Sequence, residues 1–295
     1  MAIGNLTKTR FDIAKKDMVR LFESGKSKIY TFTELAGLLS QNSGHWRLPN
    51  NLSLRAFLDL LTTRTKLKAV NFEFPKITMT KFVWGEISIF ELVASLRAGA
   101  YFSHYSAIYL HELTKQVPKA IYFNYEQPKK PAPAGTLQQE NIDRAFSCPA
   151  RITNNVAKLD DYQIYLLSGK QTGRLGVLDI AHNDSQIPVT DTERTLVDAT
   201  VRPNYSGGVA EVLGAFRKAA PRVSVNKMMA YLKTLDYVYP YHQAIGFYLE
   251  KSGAYTDSQI RLVEKFGKYY DFYLVHQIKD TGYSKRWKIY YPKDL

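Results

Sequence analysis

Apolar residues recur at three- and four-residue intervals through residues 10–22, at Phe11, Ile13, Ala14, Met18, Leu21 and Phe22, and Ser24 and Gly25 close the run. That spacing predicts a first helix with one buried stripe. A short β-branched and aromatic run follows at residues 28–32. Thr31-Phe32-Thr33-Glu34 then carries the capping-box pattern, in which a hydroxyl and a carboxylate satisfy each other's orphan amides, ahead of a second stripe at Leu35, Leu38 and Leu39. Ser53 is placed to cap a third helix with Leu54, Phe57, Leu58 and Leu61 inward and Arg55, Ala56, Asp59, Thr62 and Thr63 outward. Residues 67–72 and 77–84 read as two strands joined by the turn Glu73-Phe74-Pro75-Lys76.

Three short helices and a hairpin within residues 1–85 describe a winged helix-turn-helix, whose third helix enters the major groove N-terminus first. Arg47, Asn50, Asn51, Ser53 and Arg55 are then the candidates for base or adjacent phosphate contacts, and Lys66, Lys68, Lys76 and Lys81 would line the wing. Beyond this module the pattern becomes mixed. One or two helices are expected over residues 87–113 around a break at Gly99, strands at 120–125, 162–167 and 174–181, an exposed proline-rich loop at 127–135, and a helix from Thr190. Residues 225–235, 241–250 and 258–266 predict three more helices, and 269–278 with 285–291 a hairpin turned at Asp280-Thr-Gly282. The fold class expected is α+β: a winged helix-turn-helix at 1–85, then a mixed α/β domain at 86–295 with a further division near residue 220.

Charge sharpens this picture. The net charge is +13, and residues 1–85 hold 14 basic against 6 acidic side chains, 86–220 hold 14 against 14, and 221–295 hold 12 against 7. Two basic ends around a neutral middle point to a polyanion. Twelve of the 21 tyrosines lie after residue 220, so Lys285, Arg286 and Lys288 form a candidate second basic surface with tyrosine rings as stacking platforms or as plain core packing. A single cysteine excludes an internal disulfide and a cysteine-based zinc site, and no basic segment followed by an apolar run opens the chain. The apolar segment 87–113 is interrupted by Glu91, Arg97, His104 and Glu112, short of the roughly 20 residues a membrane helix needs. A soluble protein in a cytoplasm, with no membrane partner, is expected.

Catalytic motifs are not found. His104, His111 and Glu112 lack the second histidine of a zincin helix, and Ser103 next to His104 is read as unable to pair, because neighbours on a helix point about 100° apart. Neither Gly25-Lys26-Ser27 nor Gly169-Lys170 is preceded by the glycine of a phosphate loop. Asp160 and Asp161 would project to opposite faces of a strand and no Gly-Ser turn precedes them, so they do not make a nucleotidyltransferase metal site. Cys148, before Pro149, has no basic neighbour to activate it and is expected to be buried or incidental. These motifs require no catalytic residue, metal or cofactor.

Tyr101-Phe-Ser-His-Tyr-Ser-Ala-Ile-Tyr-Leu-His-Glu-Leu-Thr114, followed by Pro188-Val-Thr-Asp-Thr-Glu-Arg-Thr-Leu-Val-Asp198 and Gly207-Gly208, resembles the AbiEi family, the antitoxin half of bacterial AbiE-type toxin–antitoxin systems. The resemblance covers most of the chain and is specific in the order of its motifs. It implies a transcriptional autorepressor that binds inverted repeats in its own promoter through the N-terminal domain. It also implies a C-terminal antitoxin domain counteracting a cognate nucleotidyltransferase toxin without a stable complex, a type IV arrangement associated with resistance to phage. The alternative from the residues alone is a protein-interaction module whose winged helix docks a partner and whose DNA contact is incidental. The motif at 190–199 also reads structurally, as a capped helix with Glu193 and Arg194 paired to the sheet.

Overall fold

In the computed structural model, which describes residues 2–129, 136–183 and 185–295 with side chains from residue 8 onward, the first stripe becomes α1 (Ala2–Ser24). It is followed by β1 (Ile29–Tyr30), α2 (Phe32–Asn42), α3 (Leu54–Arg64), β2 (Leu67–Phe74), β3 (Ile77–Trp84) and α4 (Ile89–Ala94). Phe11, Ala14, Met18 and Phe22 of α1 are buried, whereas Ile13 is 74% exposed and lies off the stripe. The inward residues meet Leu35 of α2, Phe57, Leu58 and Leu61 of α3, and Phe82 and Trp84 of β3. Phe22 stacks on Trp84 with ring centroids 4.7 Å apart.

The capping box forms as its residues dictate: Glu34 N–H donates to the Thr31 hydroxyl at 3.2 Å, and the Thr31 N–H donates to the Glu34 carboxylate at 2.6 Å. Strands β1, β3 and β2 lie side by side in that order, antiparallel. The register runs from Leu67↔Trp84 to Phe74↔Ile77, so β2 continues two residues past Phe72 and the turn is the Pro75-Lys76 pair.

Then come β4 (Tyr101–Phe102), α5 (His104–Leu110), β5 (Ala120–Glu126), α6 (Gln139–Ser147), β6 (Val156–Leu159), β7 (Tyr162–Gly169), β8 (Val177–His182), β9 (Ser185–Thr190), α7 (Thr192–Val201), a 3-10 turn Pro203–Tyr205, α8 (Val209–Ala219), α9 (Val225–Leu235), α10 (Tyr241–Ser252), α11 (Asp257–Glu264), β10 (Phe272–Tyr273), β11 (Thr281–Ser284) and β12 (Ile289–Pro292). The chain is an α+β protein in two units, Met1–Ala98 with Ala157–Leu159, and Gly99–Val156 with Asp160–Leu295. In the second, β7, β5, β4, β9 and β8 are neighbours in that order. β5 runs parallel to β7 and β4 parallel to β9, while β4/β5 and β8/β9 are antiparallel. The larger core gathers α5 to α11, and α10 is buried without interruption from Gln243 to Leu249.

Several expectations for this unit are corrected. The segment 87–113 is not all helix: Tyr101 and Phe102, both fully buried, form β4 inside the sheet, between β5 and β9. Residues 174–176 precede β8, and β9, α6 and β6 were not anticipated. Part of the proline-rich loop, residues 130–135, lies outside the described residues. The C-terminal hairpin turns at residues 285–288, not at Asp280-Thr-Gly282, and β10 joins it parallel to β12. Thr281 and Gly282 belong to β11, where a Cβ on Gly282 would stand 2.5 Å from the Tyr291 ring across the ladder. That glycine serves close approach of an aromatic ring, not chain reversal. Asp160 and Asp161 sit in a turn, Asp160 with φ 50°, not on strand faces.

Candidate nucleic-acid interface and a second-unit cavity

The approach to α3 is built from two buried anchors. Trp46 and Leu48 are buried and flank exposed Arg47, which takes a left-handed φ of 50°. Trp46 lies over Phe57 of α3 at 5.9 Å, and backbone hydrogen bonds Trp46 N–H to Asn42 O, Leu48 N–H to Ser43 O and Leu52 N–H to Pro49 O close the loop. Asn50, Asn51 and Arg55 are all exposed. Ser53 accepts the Ala56 N–H at 3.2 Å, so its oxygen is committed to the cap. The other end of α3 is tied to α1 by Arg64, whose guanidinium meets both carboxylate oxygens of Asp12 at 2.5 Å.

The four lysines are not equivalent. Lys68 and Lys76 are exposed, the second at the turn. Lys66 ion-pairs with Glu23 at 3.2 Å, a contact that its exposure makes weak. Lys81 is half-buried, and burial lowers its pKa against the opposing pull of Glu34. The β2–β3 ladder is reinforced by the Thr80 hydroxyl donating to Asn71 Oδ1 at 2.8 Å. At the other basic end, Lys285 and Lys288 are exposed, but Arg286 is spent on Glu250 (2.6 Å) and Glu264 (2.9 Å).

The second unit holds a cavity of about 560 Å³ that the sequence did not announce. It is lined by Ser103, His104, Arg151, Arg202 and the tyrosines at 237, 239 and 241, among others. Ser103 is extended and His104 has φ 53°, so the two side chains do not diverge as helix neighbours would. Ser103 Oγ and His104 Nδ1 are 2.8 Å apart and both residues are buried, which overturns the geometric objection to their pairing. Burial first, then Arg202 and Arg194, push the His104 pKa down to about 3, leaving a neutral imidazole. His111 Nε2 faces the Thr190 carbonyl at 2.5 Å, and Cys148 is exposed.

The 190–199 motif is structural in its contacts. Asp191 caps α7 through Arg194 N–H at 2.8 Å and also receives Tyr231 OH and Lys227. Glu193 reaches α9, accepting Ser224 N–H and Lys227 Nζ at 3.0 Å each, and not the sheet. Arg194 forms a buried pair with Asp198 at 2.9 Å and donates to Leu175 O. Among the described residues no cluster of histidine, cysteine and carboxylates could hold a metal, and no helix is long and apolar enough to cross a membrane.

No family model and no curated protein matches the chain. Its fold is similar to the crystal structure of the Rv2827c protein from Mycobacterium tuberculosis, with a TM-score of 0.62 and 12% identity over 95% of this chain and 91% of that one. At that identity the likeness is one of fold.

Proposed function

We propose that the chain is a DNA-binding transcriptional autorepressor, with its first unit a winged helix-turn-helix. The order α1, β1, α2, α3, β2, β3 with the sheet order β1-β3-β2 supports this reading. One observation carries the reading: the loop entering α3 is pinned from beneath by Trp46 and Leu48, and this leaves Arg47, Asn50, Asn51 and Arg55 at the surface around the helix start. Asparagine and arginine are the side chains that make bidentate contacts to adenine and guanine edges, and a helix about 10–12 Å across with its side chains fits a major groove about 12 Å wide. Lys68 and Lys76 supply phosphate contacts on the wing, while Ser53 and Lys66 act within the unit as cap and ion pair. The resemblance to AbiEi antitoxins adds a second role, countering a nucleotidyltransferase toxin without a lasting complex.

Gel-shift titration of the full chain on DNA from upstream of its own gene, against a scrambled duplex of equal length, tests the first role. Preference for the upstream DNA that Asn51→Ala abolishes is the expected result; equal affinity for both duplexes removes the repressor reading. Co-expression with an AbiE-type nucleotidyltransferase toxin tests the second: growth is restored, and the two proteins do not co-purify.

A further inference from the structure

Four of the separated stretches of chain that line the cavity of the second unit carry the argument. Arg151 follows Pro149 after α6, and Arg202 ends α7 because Pro203 cannot continue it. Ser103 and His104 stand at the β4–α5 junction. The fourth stretch joins α9 to α10: Asp236 stops α9 in a left-handed cap, and α10 begins after Pro240. On it Val238, Tyr237, Tyr239 and Tyr241 all line the cavity, Val238 56% exposed and the three tyrosines packed against the core.

Of the four cations among the described residues lining this cavity, two are spoken for. Arg194 is held by Asp198 and Leu175 O, and Lys170 donates to the carbonyls of Leu235 and Asp236. Arg151 and Arg202 differ: both are exposed, and among the described residues neither donates a side-chain hydrogen bond nor pairs with a carboxylate. The two lie close together, since both also border the small depression formed with Pro203 and Asn204. The hydroxyls of Tyr237, Tyr239 and Tyr241 likewise have no hydrogen-bond partner among the described residues. The rings are anchored elsewhere, Tyr239 on Phe146 at 5.4 Å and Tyr241 on Phe272 at 5.3 Å. Asp198, the one carboxylate among the described residues of the cavity wall, is already paired.

We propose that this cavity binds a phosphate monoester of nucleotide size, with Arg151 and Arg202 clasping the phosphate, the three tyrosine hydroxyls donating to it, and the organic group lying against Leu167, Val201 and the tyrosine rings. The donor set decides the class. Two guanidinium forks and three hydroxyls offer far more donors than the two oxygens of a carboxylate can accept, whereas a tetrahedral phosphate dianion matches both their number and their charge. Burial raises the Tyr241 pKa to about 12 against the pull of Arg202, so this phenol stays a donor at neutral pH. The neutral His104 adds no charge of its own and, through Ser103, keeps its orientation. A volume near 560 Å³ is within the range of small-molecule sites and exceeds what phosphate alone would fill.

Calorimetric titration of the full chain with inorganic phosphate, adenosine, adenosine 5′-monophosphate and succinate tests this. The monophosphate should bind at least about tenfold more tightly than phosphate or succinate, since it alone uses both halves of the site, and adenosine should bind weakest. Arg151→Ala and Arg202→Ala should each weaken the monophosphate about tenfold or more, with the melting temperature unchanged because both positions are exposed. Arg151→Lys and Arg202→Lys should lose most of that affinity while keeping the charge, because a lysine is a point charge without the fork. No binding of the monophosphate to the folded wild type, tighter binding of succinate, or undiminished binding in the Arg151→Ala, Arg202→Ala double variant would each overturn the proposal.

Discussion

Replacing Gly246 with alanine should destabilise the second unit, against the usual sign for a glycine in a helix. Gly246 is in the middle of buried α10, and a Cβ there would lie 2.1 to 2.4 Å from three atoms of the Trp287 ring. That ring is fully buried, its Nε1 donates to Glu250 at 2.7 Å, and Lys268 and Arg286 lie over it at 5.3 and 5.6 Å. Alanine gains about 1 kcal/mol of helix propensity over glycine. Forcing an indole out of a closed site costs about 3–5 kcal/mol if the ring leaves and about 1–3 kcal/mol if it only shifts off its rotamer. The net loss is then about 2–4 kcal/mol if the ring leaves and about 0–2 kcal/mol if it only shifts, so overpacking outweighs propensity. Gly214 is the internal control: it is also helical, nothing lies within 4 Å of its added Cβ, and Gly214→Ala should stabilise by about 0.5–1 kcal/mol. Trp46 and Trp84 belong to the first unit, so tryptophan fluorescence would mix the two. Native-state hydrogen exchange of the α10 amides reports the right unit. Equal or greater protection in Gly246→Ala than in wild type would refute the packing argument.

Two further outcomes follow from the same contacts. Asp198→Ala leaves the buried Arg194 guanidinium unpaired and should cost about 3–5 kcal/mol in urea melts, while the Arg194→Met, Asp198→Leu double variant should recover most of it. Burial pushes the Glu126 pKa up, but hydrogen bonds from the Thr172 hydroxyl, the backbone N–H groups of Thr172 and Arg174 and the Tyr101 hydroxyl outweigh it and hold the carboxyl below its ordinary 4.5. Its contribution is therefore complete above that value and lost as pH falls through the lower folded-state pKa. Wild type should lose stability more steeply below pH 4.5 than Glu126→Gln, and parallel acid limbs in thermal melts would contradict the sign.

The first unit was legible because its elements announce themselves locally. The stripe Phe11, Ala14, Met18, Phe22, the reciprocal cap Thr31–Glu34 and the β-branched and aromatic runs of β2 and β3 need no distant partner to be recognised. The second unit resisted where neighbours, not local pattern, decide. Tyr101 and Phe102 sit in a run apolar enough to suit helix or strand, and only pairing with β5 and β9 selects the strand. Pro188 hid β9 and Gly282 imitated a turn. α6 carried a readable signal, Ile142 and Phe146 four residues apart and both buried, diluted by seven polar or small neighbours. The cavity was invisible for a different reason. Arg151, Arg202 and the tyrosines come from separate stretches with no shared spacing, and the Ser103–His104 pair depends on a left-handed φ that no helical reading would assign.

The central claim, groove binding through α3 with phosphate contacts on the wing, is tested most directly by the salt dependence of operator affinity for the full chain. Fluorescence anisotropy on the upstream duplex, measured over a salt series for wild type, Arg55→Ala and Lys68→Ala, separates base reading from phosphate contact. Arg55→Ala should lose roughly 1–3 kcal/mol on the specific duplex and little on a scrambled one, while Lys68→Ala should weaken both alike and lower the slope of log affinity against log salt by about one. Identical affinities and slopes for all three proteins would contradict the account.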